Sequence, residues 1–267
     1  MPHTIAGDVE IYWESHGEGR PLLTISGVSG GTWSYEESIA AWSPHFRVLV
    51  YDNIGAGLSS KPDRPYTIAQ MADHAAAVMD AADEKGAYVV GLSMGGMIAQ
   101  ELALRHPARV CALVLGCTHC GGSTRVPPDP KVIQRFADNQ GLSPEEIVDK
   151  NLNLLVTPAF LQSGSELLER YRERQLKAPF QPDYALQRQL EAIGDFDTCE
   201  RLADIKAPTL ILTADHDRLV PPENGRILAS RIPKAELEEF TGGHLIYLES
   251  AEPFHHSVLR FFQGLGS

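Results

Sequence analysis

Apolar residues fall along this chain in short runs separated by longer stretches of helical period. The runs predict strands at 9–15 (VEIYWES), 21–27 (PLLTISG), 47–52 (RVLVYD), 87–93 (AYVVGLS), 110–116 (VCALVLG), 208–215 (PTLILTAD) and 235–241 (AELEEFT). The first alternates apolar and polar residues, as an antiparallel edge strand does. Most of the later ones are continuous, as strands covered on both faces are. Between them, helices are predicted in TIAQMADHAAAVMDAAD, with Thr67 as N-cap, in GGMIAQELALRH, stopped by Pro107, in PENGRILASRI and in PFHHSVLRFFQGL. Alternating strand and helix gives an α/β fold with a mostly parallel central sheet and helices on both faces.

The alternation breaks between residues 120 and 205. PKVIQRFADNQ, SPEEIVDKNLNLL, GSELLERYRERQL and DYALQRQLEAI all read as helices joined by Pro and Gly, with no strand among them. Because the sheet pattern resumes at PTLILTAD, this segment is expected to be a helical cap inserted into one core. The core is then 1–119 with 206–267, and the cap 120–205. A chain of 267 residues suits one large core with an insertion.

Charge and cysteines narrow the class. A net charge of -12 opposes a nucleic-acid or anionic-membrane surface. No stretch approaches the roughly 20 apolar residues that span a bilayer, and MPHTIAGDVEIYWESHGEG has no basic region followed by an apolar one, so the expectation is a soluble, cytoplasmic protein. Cys111, Cys117, Cys120 and Cys199 are too few and too unevenly spread for a disulfide framework. CTHC, residues 117–120, offers half a zinc site, but no second ligand pair follows, and no metal is expected. The sequence leaves open whether the chain forms a homo-oligomer.

The chemistry gathers around GLSMGG. Gly91-Leu92-Ser93-Met94-Gly95 fits G-x-S-x-G, the strained strand-to-helix turn that lifts a serine above a sheet, and the required strand and helix flank it. A serine hydroxyl needs a base, an acid to orient that base and donors for the oxyanion. DHDRLVPP supplies Asp215 and Asp217 at the end of a later strand, and TGGHLIYLES supplies His244 in a loop before the last helix. His255 and His256 lie inside that helix, where packing or surface roles are expected. His119 follows a strand but comes in the wrong chain order for the base.

The order Ser93, Asp217, His244 resembles the α/β-hydrolase superfamily over essentially the whole chain. PLLTISGVSGG is similar to its oxyanion loop, YDNIGAGLSSKP to its Y-D-x-x-G-x-G-x-S segment, DRLVPP to its acid turn and GGHLIYLESAEPF to its histidine loop. That resemblance selects Asp217 over Asp215 and implies an oxyanion hole from the backbone N–H groups of Val28 and Met94. Two departures stand out: Ser26-Gly27 replaces the usual His-Gly, and Ile54 stands where many relatives carry arginine. Asp52 is read as a loop organiser. Within the superfamily the chain is most similar to the group around 3-oxoadipate enol-lactonase, which implies a cofactor-free serine esterase or lactonase. The alternatives are a carbon–carbon bond hydrolase of a vinylogous diketone and a hydrolase-like ligand receptor. A cap implies a small to medium substrate. Met97, Trp33, Tyr35, Leu154 and Phe160 are candidates for its pocket or for ordinary core. Arg125, Arg135 and Arg188 are candidates for a substrate carboxylate or, more commonly, for solvated surface.

Overall fold

The structure is a computed structural model that describes residues 2–266. Its strands are β1 (His3–Ala6), β2 (Val9–His16), β3 (Pro21–Ile25), β4 (Arg47–Tyr51), β5 (Ala87–Leu92), β6 (Val110–Gly116), β7 (Thr209–Ala214) and β8 (Glu236–Phe240). They form one sheet in the order β1-β2-β4-β3-β5-β6-β7-β8, parallel from β4 to β8. β2 is antiparallel as its alternation predicts, yet it is not the edge. It pairs with β4 on one side and β1 on the other, so the edge falls to a strand of four residues with a single buried one.

Continuous apolar runs are explained by two cores, one on each face. Leu23, Ile25, Leu49, Val89, Leu113, Leu115 and Ile211 point to one, and their chain neighbours Leu22, Val48, Val50, Val90, Val114, Leu210 and Leu212 to the other. The first face is covered by α2 (Ile68–Ala81) and α3 (Met94–Arg105), with α9 (Glu223–Arg231) beyond them. The second is covered by α1 (Glu36–Trp42) and α11 (Ala251–Gly264), through Trp42, Phe254, Val258, Phe261 and Phe262. Thr67 caps α2 through the reciprocal bonds of a capping box with Gln70.

Between β6 and β7 the chain forms α4 (Pro130–Ala137), α5 (Pro144–Leu155), α6 (Pro158–Leu161), α7 (Glu166–Lys177) and α8 (Asp183–Gly194). Proline at the first helical position starts three of them, where its missing N–H costs nothing. A third apolar cluster, including Leu152, Val156, Leu168, Tyr171, Leu245 and Leu248, packs α5 and α7 against the short α10 (Ile246–Glu249). Arg174 of α7 also bridges Glu36 at 2.7 Å and Glu37 at 2.5 Å on α1. The inserted helices therefore sit over the carboxyl ends of the strands, where α/β sheets place their ligands.

Candidate active site

Ser93 closes β5 and opens α3 with φ 55° and ψ −122°, a conformation that costs an L-residue about 1–3 kcal/mol. The turn is held by its surroundings. Ser93 N–H donates to Gly116 O at 2.9 Å, and Ser93 O accepts from Thr118 Oγ1 at 2.7 Å. Glycine is required where α3 crosses the sheet: a Cβ at Gly95 would lie 1.9 Å from Ile25 O, and one at Gly91 2.3 Å from Gly95 O. The chain thus pins the serine backbone in place, while Ser93 Oγ has no hydrogen-bond partner among the described residues.

Asp217 lies in the turn after β7 and His244 in the loop after β8. His244 Nδ1 is 2.7 Å from Asp217 Oδ2, and the aspartate side chain is fully buried. Its Oδ1 accepts from Leu219 N–H and Val220 N–H, both at 2.8 Å, which keeps the carboxylate aimed. The carboxylate accepts from His244 Nδ1–H, so the imidazole turns Nε2 away from it. Cys117, after β6 with φ 45°, lies beside the same carboxylate, its Sγ within 4.8 Å of it, and burial pushes that thiol well above the usual range. Asp215 does something else: it is half exposed and accepts from Gly242 N–H at 3.0 Å, shaping the histidine loop.

Ser93 and His244 both line one cavity of about 180 Å³ between the strand ends and the inserted helices. Val28 lines it too. A Cβ at neighbouring Gly27 would be 3.1 Å from Ser93 Cβ, so the loop after β3 runs beside the serine. Val28 N–H has no protein acceptor among the described residues. Met94 is fully buried, but as the first helical residue it has no intrahelical acceptor for its N–H. With Ser26-Gly27 in place of His-Gly, the loop is supported differently. Asn53 Nδ2 donates to Ser26 O at 2.9 Å, and Gln189 of α8 accepts from Ser29 N–H at 3.0 Å while donating to Ile54 O at 2.9 Å. Sequence reasoning missed Gln189, whose partners in the loops after β3 and β4 lie 160 and 135 residues away in the chain.

The remaining candidates separate cleanly. Met97 and Tyr35 line the cavity; Trp33, Leu154 and Phe160 do not. Arg125, Arg135 and Arg188 do not line it either, and Arg188 pairs with Asp63 and Glu191. Asp52 is a loop organiser: Oδ1 accepts from Thr32 N–H and Oδ2 from Leu58 N–H, with burial raising its carboxyl. His255 is packed in α11 against Trp42, bonded to Ser38 Oγ at 3.0 Å, and His256 is exposed. The CTHC sulfurs diverge, Cys117 turning to Asp217 and Cys120 meeting Cys199 Sγ at 2.6 Å. Donor atoms of Cys117, Asp217 and His244 lie within 4.8 Å of one another, with the imidazole and the carboxylate hydrogen-bonded to each other.

Residues 20–251 match the sequence model of the family described as the alpha/beta hydrolase fold. The chain belongs to that family. Among its relatives, an Azorhizobium caulinodans protein with the provisional name carbamate hydrolase RutD is 34% identical, over 98% of each chain. A poly(3-hydroxyalkanoate) depolymerase of Ectopseudomonas oleovorans is 32% identical over 91% of this chain and 84% of its own. The crystal structure of the enol-lactonase from Burkholderia xenovorans LB400 superposes with a TM-score of 0.87 at 26% identity, covering 98% of this chain and all of that one. This α/β-hydrolase is thus a hydrolase of the lactonase- and esterase-like branch. No helix among its described residues is long and apolar enough to cross a membrane.

Proposed function

We propose that this α/β-hydrolase cleaves an ester or lactone bond of a small to medium, uncharged substrate by acyl transfer through Ser93, His244 and Asp217. The observation that carries the reading is the buried Asp217–His244 hydrogen bond, with the far edge of the imidazole and Ser93 opening on one cavity. Ser93 Oγ attacks the carbonyl carbon as His244 Nε2 takes its proton. The oxyanion accepts from the backbone N–H groups of Val28 and Met94. Collapse expels the alcohol, or opens the ring, with the proton returned by His244. A water, deprotonated by the same nitrogen, then releases the acid. Asp217 stays ionised throughout and holds the tautomer. Serine and histidine meet fully when substrate is bound, since such hydrogen bonds are commonly loose in empty sites.

The wall of the cavity supports an uncharged substrate. It carries no Lys, Arg, Asp or Glu, so a substrate carboxylate would be buried without a partner. Its 180 Å³ slightly exceeds the roughly 150 Å³ cavity that admits a benzene. The relatives' names, a carbamate hydrolase, a polyester depolymerase and an enol-lactonase, share attack on a carbonyl carbon. A carbamate is therefore a second reading for the same machinery, favoured by the relative at 34% identity.

A panel of p-nitrophenyl esters, aliphatic lactones, an aryl carbamate and a vinylogous 1,5-diketone tests the reading. Steady turnover of esters or lactones is expected, with kcat lowered about 10⁴- to 10⁶-fold in Ser93→Ala because the three residues act as a unit. Turnover of the diketone alone would move the reading to carbon–carbon cleavage. A single stoichiometric burst would make the protein a receptor, and unchanged turnover in Ser93→Ala would end the proposal.

A further inference from the structure

His119 belongs to none of the roles above, yet it stands on the wall of the same cavity, after β6, buried to all but 6% of its surface. Its Nδ1 accepts a hydrogen bond from Gly121 N–H at 3.0 Å. That bond fixes the tautomer: a neutral ring that accepts at Nδ1 carries its proton on Nε2. The ring is held neutral, since burial, reinforced by the nearby Arg125, pushes its pKa down to about 4. Nε2–H has no partner among the described residues and, on a residue that lines the cavity, is not sealed from it.

Several other polar side chains on this wall are already engaged. Ser26 Oγ donates to Gly31 O, Tyr35 OH to Ile25 O, and Tyr171 and Tyr247 meet each other through their hydroxyls. The Cys117 thiol is buried beside Asp217. Asn151 and Gln175 also line the cavity, with Oδ1 of the one and Nε2 of the other buried and without a partner among the described residues. Behind the ring, Gln100 Nε2 donates to His119 O at 3.1 Å and Thr198 Oγ1 to Gln100 Oε1 at 2.7 Å, so the backbone that carries the imidazole is itself tied down. The result is a fixed donor in a wall made in larger part of aliphatic side chains and tyrosines.

The geometry points to His119 as a specificity-determining residue whose Nε2–H reads an uncharged acceptor oxygen of the substrate outside the scissile group, an ether, carbonyl or hydroxyl oxygen. The inference rests on the hydrolase reading of this cavity and deepens it. A buried donor left unpaired is costly, so a ligand that brings an oxygen to it gains over one that brings a methylene. A carboxylate is not the natural partner, because the ring is neutral and the wall holds no cation.

Esters that differ by one methylene-to-oxygen exchange isolate this contact. Methyl pentanoate and methyl 3-methoxypropanoate place the exchange in the acyl chain; butyl acetate and 2-methoxyethyl acetate place it in the alcohol. In the native enzyme, one pair is expected to show a KM for the ether member equal to or below that of its hydrocarbon twin, against the desolvation cost of the ether. His119→Asn keeps an acceptor for Gly121 N–H but removes the distal donor. It is expected to raise KM for that ether about tenfold, with kcat and the hydrocarbon twin little changed. His119→Gln, which restores an N–H near the same reach, should recover much of the loss. The hydrocarbon esters report in the same assay that each variant is folded. An ether-to-hydrocarbon KM ratio identical in native enzyme and His119→Asn for both pairs would overturn the role of His119. If no ester is turned over, the hydrolase reading fails instead. The same ratio is then read from Kd values measured by calorimetry on Ser93→Ala and Ser93→Ala/His119→Asn, where an unchanged ratio again overturns it.

Discussion

Asp215 and Asp217 stand two positions apart after the same strand, and only the second meets the imidazole. The difference is made by backbone donors. Leu219 and Val220 turn their N–H groups onto Asp217 Oδ1, which leaves Oδ2 aimed at His244 Nδ1. Asp217→Asn offers an amide where an acceptor is needed and favours the wrong tautomer. Its kcat on a p-nitrophenyl ester is expected to fall about 10³- to 10⁴-fold. Asp215→Asn keeps a carbonyl oxygen for Gly242 N–H and is expected to stay within tenfold of the native rate. The reverse ranking would give Asp215 the orienting role. At this scale the sequence displays Ser93 and His244 through motif and chain order. The choice between the two aspartates needed family resemblance, because residue type and position do not distinguish them; the donors that do are backbone groups and carry no signature. His119 and Cys117 were visible as residues, but what each side chain faces depends on the turn after β6, including the positive φ of Cys117.

The site is assembled between elements, and several joints between the inserted helices and the catalytic loops pass through single side chains. Glu249, at the end of α10, accepts from Gly243 N–H at 2.9 Å, next to His244, and from Thr157 N–H at 3.1 Å, at the start of α6; it also accepts from the Thr157 hydroxyl. Leu245 N–H donates to Leu155 O of α5 at 3.1 Å, so the histidine loop and the foot of the insertion share one anchorage. Glu249→Ala strands two backbone donors. We expect a loss of about 2 kcal/mol in equilibrium denaturation. A roughly tenfold fall in kcat should accompany it if the anchorage aligns His244; native kcat with lowered stability would confine Glu249 to folding. The main elements were legible because their periods are strong: the buried parallel strands, α2 with its capping box, and α4, α5, α7 and α8 of the insertion, though not the four-residue α6. β1 was not, being four residues with one buried, and α1, seven residues long, was not read either. Gln189 was equally illegible, since its value lies in spanning from α8 to loops after β3 and β4.

At the scale of the whole molecule, the fold buries histidines that must stay neutral, and this sets a response to acid. His255 is enclosed by Trp42, Phe254 and Ser38, and burial pushes its pKa down to about 4 against the opposing pull of Glu37; His119 is likewise pushed to about 4, and burial also lowers His74. In the unfolded chain each would titrate near 6.5. Between those values the unfolded state binds protons that the folded state refuses, so stability falls as pH falls from about 6.5 to 4, by up to about 3 kcal/mol for each group with a folded value near 4. Above pH 6.5 both states are neutral at these sites and the slope vanishes. A second effect runs the other way: the net charge of -12 shrinks as carboxylates take up protons, which relieves repulsion within the compact state. Comparison with a variant separates the two, because the net-charge effect is common to both proteins. His255→Gln keeps a hydrogen-bonding group for Ser38 and does not titrate. Urea denaturation of native protein and variant across pH 7 to 4 is expected to show the gap between them move in the variant's favour as pH falls, most steeply near pH 5 to 6. A gap independent of pH would mean that His255 titrates alike in the folded and unfolded chains, and that its burial does not contribute to acid lability.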